Sequence, residues 1–511
     1  MMVLLHKARL LLRQYVCGYS SPFRSLSSCT PLGLNLHSWS SLASAKKDLG
    51  STNGGGDDDD GPSSSSSALQ SSQQQQNSAR WMRRLLFVIL LFVLAMPARI
   101  YVTSRPRFSP AKGNVHYQWV FRTTQQQFAA GQGAAQGQAQ QEKGKAAPGG
   151  AQNGATRSLQ YAHMGMIERL PNGSIAVAFQ GATERYEGSV EQSIYIALSH
   201  DSGATWTPPR AVMSGDGVPL WSPVMLVEGG RLWLFFSRSN RKCRYFDRIR
   251  AVVRHSPGGD VLFATSDDSS ATFSSPQMLY AYGDEGLGIP KVVANKAAVL
   301  SDGRWVLPFW REPGKTCPVV RNKLPPNEWV NGSAGVLVSG DQGLTWRVNG
   351  HITMHEQGWL IENTVAELPG QQLLQLFRSK QGALYQSWSS DLGKTWSEAQ
   401  RTSLPNPDSK VHLLRLRMGA ASRGTHMVVA YNRSPDTRTP LSLAVSHDPY
   451  ARQWIEAGSL ETAEELEFSY PTMLETRDRL ITVYTVMRVE DGRLVSLGIK
   501  MAQVSTRLLL R

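Results

Sequence analysis

Cysteine is scarce in this chain of 511 residues, with four in all: Cys17 and Cys29 near the start, Cys243 and Cys317 far downstream. There is no CxxC and no disulfide framework. Histidine, cysteine and aspartate nowhere cluster at ligand spacing, so neither a metal nor another cofactor is expected. Cys243 and Cys317 fall in equivalent loops of consecutive repeat units, which leaves two alternatives, one disulfide in an oxidising compartment or two free thiols. Acid is missing from residues 1–47, which carry Lys7, Arg9, Arg13 and Arg24 before the first acid at Asp48. That stretch reads as a basic tail or an organelle-type transit segment. Long apolar runs are missing too. Residues 85–98 make roughly 21 Å of helix against a bilayer core of roughly 30 Å.

With Arg80, Arg83 and Arg84 before it and Ala95 and Ala98 at its end, the apolar segment reads as a signal-anchor or signal-peptide-like helix over 81–102. The expected location is the secretory pathway, either membrane-anchored (Golgi or cell surface) or secreted, with organelle targeting by the basic N-terminus as the alternative. The sequons at Asn172 and Asn331 are compatible with that route. The formal charge of +14 invites a nucleic-acid reading until it is located. Residues 1–112 hold 13 Lys/Arg against 5 Asp/Glu, so most of the excess is a basic tail and nucleic acid is not an expected partner. Gly, Asp, Ser and Gln runs at 50–79 cannot build a core. The expected organisation is a disordered tail at 1–80, the apolar helix at 81–102, a linker at 103–156 and one domain at 157–505.

What that domain has is a repeat. Ser339-Gly340-Asp341-Gln342-Gly343-Leu344-Thr345-Trp346 fits S-x-D-x-G-x-T-W. Ser199 to Trp206 and Ser389 to Trp396 are full copies, Ser266 to Phe273 is worn, and Ser446-His447-Asp448 with Trp454 is more degraded. Successive aspartates are 67, 73, 50 and 57 residues apart, the period of an array whose units bury their apolar faces on each other. Each box follows a strand-like run and reads as a hairpin turn, with Asp bonding to downstream amides, Gly allowing positive φ and Trp wedging between sheets. The span divides into six units: 161–213, 221–279, 292–352, 359–404, 412–460 and 468–504. The predicted fold class is all-β, a six-bladed propeller of four-stranded antiparallel blades.

Ligand sites on propellers gather at the axis, where first strands and their loops converge. The fourth unit places Glu362 on its first strand and Arg378 at the end of its second. The fifth offers Asn432 and then Arg438, and the sixth opens on Phe468-Ser469-Tyr470-Pro471. Asn295, Lys296 and Arg311 in the third unit, and Tyr484 and Arg488 in the sixth, are further candidates for lining the funnel. Tyr484, inside Val483-Tyr484-Thr485, reads as structural.

The Asp-boxes on this layout resemble the sialidase (neuraminidase) superfamily, in particular its BNR-repeat sialidase-like branch, over roughly 160–504. The resemblance implies a catalytic Glu and a following Arg in the fourth blade, matched by Glu362 and Arg378. It implies a further arginine before the third strand of the fifth blade, matched by Arg438, and a tyrosine nucleophile on the first strand of the sixth, matched by Tyr470. The chemistry is coherent. Arginines grip a carboxylate bidentately, and a neutral phenol attacks an anomeric carbon that already bears negative charge without the repulsion a carboxylate would meet. Glu362 is then the base and another acid protonates the leaving oxygen.

Two departures stand out. The first blade has Tyr161-Ala162-His163-Met164 where the family opens on an arginine, so His163 is the one basic group there and is a cation only when protonated. The first-blade loop, residues 180–191, has Glu184, Glu187 and Glu191 but no aspartate; Glu184 is the first choice of acid and Glu191 the second. The expected function is an exo-sialidase-like, retaining glycoside hydrolase acting on the terminal acidic sugars of glycans, with Tyr470, Glu362 and Glu184 catalytic. Arg378, Arg438, Arg311, Asn295 and Asn432 would contact substrate. A non-catalytic carbohydrate-binding propeller and a lyase or hydrolase on uronic-acid glycans are the rivals. An acidic glycan or glycoconjugate is the expected partner.

Overall fold

The computed structural model describes residues 106–123 and 158–509, except 249, 286–287, 313–316, 318–331, 355–357 and 417–425. The basic tail, the apolar segment at 81–102 and the Gln/Ala/Gly-rich stretch from 125 onward lie outside the described residues. Among those described, no helix is long and apolar enough to cross a membrane.

From Tyr161 to Ser505 the chain runs as successive antiparallel meanders in a propeller arrangement. Inner strands of successive units neighbour each other, and the sixth returns to the first, closing the ring. Second strands such as Ile175–Ala182 and Trp305–Arg311 are buried at every position. They read as near-continuous apolar runs because a neighbouring sheet covers each face. The core accordingly lies between sheets: one cluster joins Ile167, Val177 and Phe179 of the first unit to Ile481 and Val483 of the sixth.

The sheet count differs from the six separate sheets expected. Four four-stranded sheets stand alone, while the second and third units are fused into one sheet of nine strands. The link is a pairing of Gly259 with Lys291. A Cβ on the adjacent Gly258, whose φ is +74°, would lie 2.5 Å from the Lys291 carbonyl oxygen, so glycine permits the approach. A second correction concerns the linker. His116–Arg122 is the outermost strand of the sixth sheet, antiparallel to Arg493–Ser505. The two ends of the domain therefore close the ring in one sheet, and Phe108, fully buried in an apolar cluster with Leu497 and Val504, continues the seal. Cys243 and Cys317 form a disulfide, which settles the alternative left open by the sequence.

The Asp-boxes are turns between third and fourth strands, as their composition predicts. Ser339 Oγ donates to Asp341 Oδ1 at 2.8 Å and accepts from the Gly343 amide at 2.8 Å. The Thr345 amide and hydroxyl donate to the two Asp341 oxygens at 2.8 and 2.5 Å. Gly343 has φ +89°, and a Cβ there would meet Trp305 at 2.8 Å. Trp346 stands edge-on to Phe235 of the neighbouring unit.

These threonine bonds hold Asp201, Asp268 and Asp341 down at about 2, below the ordinary carboxylate range. Because the folded values lie below the unfolded one of roughly 4, the contribution is complete above pH 4 and is lost as pH falls through about 2. Thermal unfolding followed from pH 5 to pH 2 should show a falling midpoint, and Asp341→Asn should flatten that fall; an unchanged slope would refute the assignment.

Candidate active site

Four first strands carry the same irregularity. Pairing slips between His163 and Met166, Trp221 and Val224, Ile361 and Thr364, and Ser469 and Thr472. Within each bulge one non-glycine residue takes a left-handed φ: Met164 at 61°, Ser222 at 52°, Glu362 at 51° and Tyr470 at 59°. Such backbone costs roughly 1–3 kcal/mol per residue and survives where surrounding structure imposes it. A bulge breaks the alternation of side chains and re-aims one of them. Here it brings Glu362 and Tyr470, from the fourth and sixth units, into contact.

Tyr470 Oη donates to Glu362 Oε1 at 2.7 Å. Arg378, ending the second strand of the fourth unit, donates through Nη1 to both Glu362 oxygens at 2.9 Å and to Tyr470 Oη at 2.6 Å. Its Nε donates to Asp408 Oδ1 at 2.7 Å, an oxygen that also accepts from Trp359 Nε1 at 3.0 Å. Arg438 donates to the Asp408 carbonyl at 3.1 Å, and its guanidinium lies 5.5 Å from the centre of the Tyr470 ring. Glu362, Arg378 and Tyr470 are each less than a tenth exposed. Burial pushes the Tyr470 phenol well above its ordinary value, against the pull of Arg378. The phenol is therefore neutral at physiological pH and needs a base to act as a nucleophile, and the carboxylate touching it is placed for that.

His163, on the first strand of the first unit, has its ring 4.2 Å from that of Tyr470. Burial, then Arg438, Arg378 and Lys410, hold its pKa well below the ordinary histidine value. Neutral at physiological pH, it is no substitute cation.

Three of the residues expected at the substrate are buried braces instead. Asn295 donates its amide to the carbonyls of Glu362, Asn363 and Val411 at 2.9, 3.2 and 3.1 Å. Asn432 does the same for Arg438 and Phe468 at 2.9 and 2.8 Å. Both are 0% exposed, so neither offers its amide to a substrate and the sequon at Asn432 is inaccessible. Arg311 is spent on Glu285, with Nε donating at 2.8 Å. In the first-blade loop, Glu184 and Glu191 act electrostatically on Tyr186. It is Glu187, bound by Gln180 Nε2 at 2.9 Å, whose charge reaches Tyr470.

The sequence reading missed Asp408, Lys410 and Glu312. Lys410, buried and pushed down to about 7 by that burial, donates to the Pro471 carbonyl at 2.8 Å and so fastens the bulge at Tyr470. Glu312 accepts from Trp310 Nε1 at 2.7 Å, and burial pushes its carboxyl up to about 7. Neither lies in a motif, and only their place at the axis, Lys410 buried and Glu312 half-buried, marks them. Lys296, counted among the funnel candidates, pairs with Glu168 at 2.9 Å beside a cavity of about 720 Å³. That cavity is lined by the last residues of the first strands, Glu168, Glu228, Glu367 and Glu475 among them, so it opens at the opposite end of the axis from Tyr470.

Comparison with known proteins agrees with this architecture. Residues 173–483 match the BNR repeat-like domain. No curated protein matches the chain. Among solved structures, a protein of unknown function from Dyadobacter fermentans superposes with a TM-score of 0.52 at 17% identity, over 68% of this chain and 94% of that one. The Hadza microbial sialidase Hz136 gives 0.51 at 18% identity, over 68% and 66%. Trypanosoma rangeli sialidase gives 0.52 at 15% identity, over 70% of this chain and 57% of that one, so this chain spans little more than half of the trypanosomal protein. Boxes, closed ring and domain match together make this chain a member of the BNR repeat-like domain family with a sialidase-like fold.

Proposed function

We propose that this protein is a retaining glycoside hydrolase of exo-sialidase type acting on terminal acidic sugars of glycans. The observation that carries the reading is the 2.7 Å contact between the Tyr470 hydroxyl and the Glu362 carboxylate, with Arg378 bonded to both. Glu362 takes the phenol proton as the oxygen attacks the anomeric carbon, and Arg378 balances the charge left on the pair. Arg378 and Arg438, flanking the ring, supply the positive field for a substrate carboxylate. With His163 neutral, that grip rests on two guanidinium groups. The Cys243–Cys317 bridge fits an oxidising compartment and supports a secretory location, anchored or released.

The test is release of fluorophore from an umbelliferyl α-sialoside beside a panel of umbelliferyl uronides, using the full chain, with the anomer of the first-formed product read by NMR. Sialoside cleavage with retention is the expected result. Cleavage of uronides alone would move the protein to another substrate class. Glycan binding without any cleavage would make it a carbohydrate-binding propeller.

A further inference from the structure

The site as built so far has a nucleophile, a base and two cations; of the first-blade loop it is Glu187, and not the expected acid Glu184, whose charge reaches Tyr470, so the proton donor for the leaving oxygen is open to assignment. Most carboxylates near it are already committed. Glu362 is bonded to Tyr470 and Arg378, Asp408 to Arg378 and Trp359, and Glu285 to Arg311. Glu187 is held by Gln180 and lies 3.8 Å from Arg254 Nη2. A donor drawn from that set would have to give up a partner first.

We infer that Glu312 is the general acid of this site, an assignment that rests on the hydrolase reading above. It directly follows the strand Trp305–Arg311 of the third unit, which is separated from the sixth, with Tyr470, by two units in either direction around the ring. Its backbone is pinned by a 2.8 Å bond from its amide to the Pro290 carbonyl. Trp310, on the same strand, packs in one apolar cluster with Tyr470, Met164 and Ile361, so this strand end and the nucleophile border the same basin. The Trp310 indole donates to Oε2. An indole N–H is donor only, so Oε2 is fixed as the acceptor and the proton of the neutral acid belongs on Oε1. The charges facing Glu312 are Glu362 and Glu187, which favour its protonated form, and Arg378, which opposes it. Burial places its titration at about 7, within reach of both protonation states at neutral pH. The residue keeps partial solvent access, as a group meeting substrate and water must.

In the first half-reaction Tyr470 Oη bonds to the anomeric carbon and its proton passes to Glu362. The anomeric carbon–oxygen bond breaks with its electron pair on the aglycone oxygen, which takes the Glu312 proton. Water then attacks the same carbon and gives a proton back to Glu312. The phenol oxygen departs and recovers its proton from Glu362.

Leaving-group dependence tests this. A sialyl-galactoside leaves as an alkoxide and needs the proton, whereas the phenol of an umbelliferyl sialoside leaves with little help. Glu312→Gln, which keeps an acceptor for Trp310, should lower kcat/KM roughly 10²–10⁴-fold on the sialyl-galactoside. On the sialyl-galactoside the decline in rate above about pH 7 should also disappear, while on the umbelliferyl sialoside the loss should stay within about tenfold. Glu312→Asp, retaining an acid, should keep that decline and guards against a folding artefact. Equal losses on the two substrates, or none, would overturn Glu312 while an inactive Tyr470→Phe would leave the hydrolase reading standing. A wild-type chain inert on both substrates would remove both.

Discussion

Tyr470→Phe should reduce kcat/KM on a sialoside on the order of 10³-fold or more, with an unfolding transition close to that of the wild type. The variant removes one oxygen. That oxygen gives its hydrogen to Glu362 at 2.7 Å and accepts from Arg378 at 2.6 Å. The guanidinium and the carboxylate remain bonded to each other, so the stability cost should be about one hydrogen bond, on the order of 1 kcal/mol. Chemistry suffers far more, because the covalent path is closed and Glu362 has no phenol to activate. Glu362→Gln keeps the shape but cannot take a proton, and should lose rate on a similar scale. Steady-state kinetics and single-turnover trapping of a glycosyl-enzyme check both. A Tyr470→Phe variant within tenfold of wild type would mean that the reaction, if any, runs without this tyrosine.

What the sequence could show depended on how local each feature is. An Asp-box closes its hydrogen bonds within eight residues, so Ser339, Asp341, Gly343 and Thr345 declare the turn by themselves. Counting boxes then located the units that hold Glu362, Arg378, Arg438 and Tyr470. Features that join distant segments were opaque. The strand His116–Arg122 alternates suitably, but its partner Arg493–Ser505 lies at the far end of the chain, and the Gln/Ala/Gly-rich stretch beyond it made the whole region read as linker. The fusion of the second and third units turns on one glycine pairing, Gly259 with Lys291. Polar residues at the axis posed a different difficulty. An asparagine that faces backbone carbonyls, as Asn295 and Asn432 do, looks in sequence like one that faces a ligand. Lys410 and Glu312 gain their properties from burial, and no short pattern encodes burial at the axis of a ring.

Arg378→Met should cause the largest loss of stability of any single change at the axis, about 3–5 kcal/mol, together with loss of activity. Removing this guanidinium leaves the Glu362 carboxylate, 5% exposed, with Tyr470 as its remaining partner, and strips Asp408 of the Nε donor. A buried charge without its counter-ion is the expensive state, whereas burying neither charge is much less so. The double variant Arg378→Met with Glu362→Met should therefore recover a large part of the loss while remaining inactive. Denaturant unfolding of the two single variants and the double variant forms a closed cycle that separates the pair's coupling from the effect of either residue alone. Losses that simply add would show that the two side chains do not depend on each other. The strained backbone supplies a further consequence. Glu362 holds φ at 51° and Tyr470 at 59°, in bulges braced by Asn295 and Lys410 and tied to each other through Arg378. Loss of the tie should free both bulges, so amide exchange at residues 361–364 and 469–472 should accelerate in Arg378→Met well beyond its change in the first-strand segment 163–166, whose bulge carries no bond to Arg378.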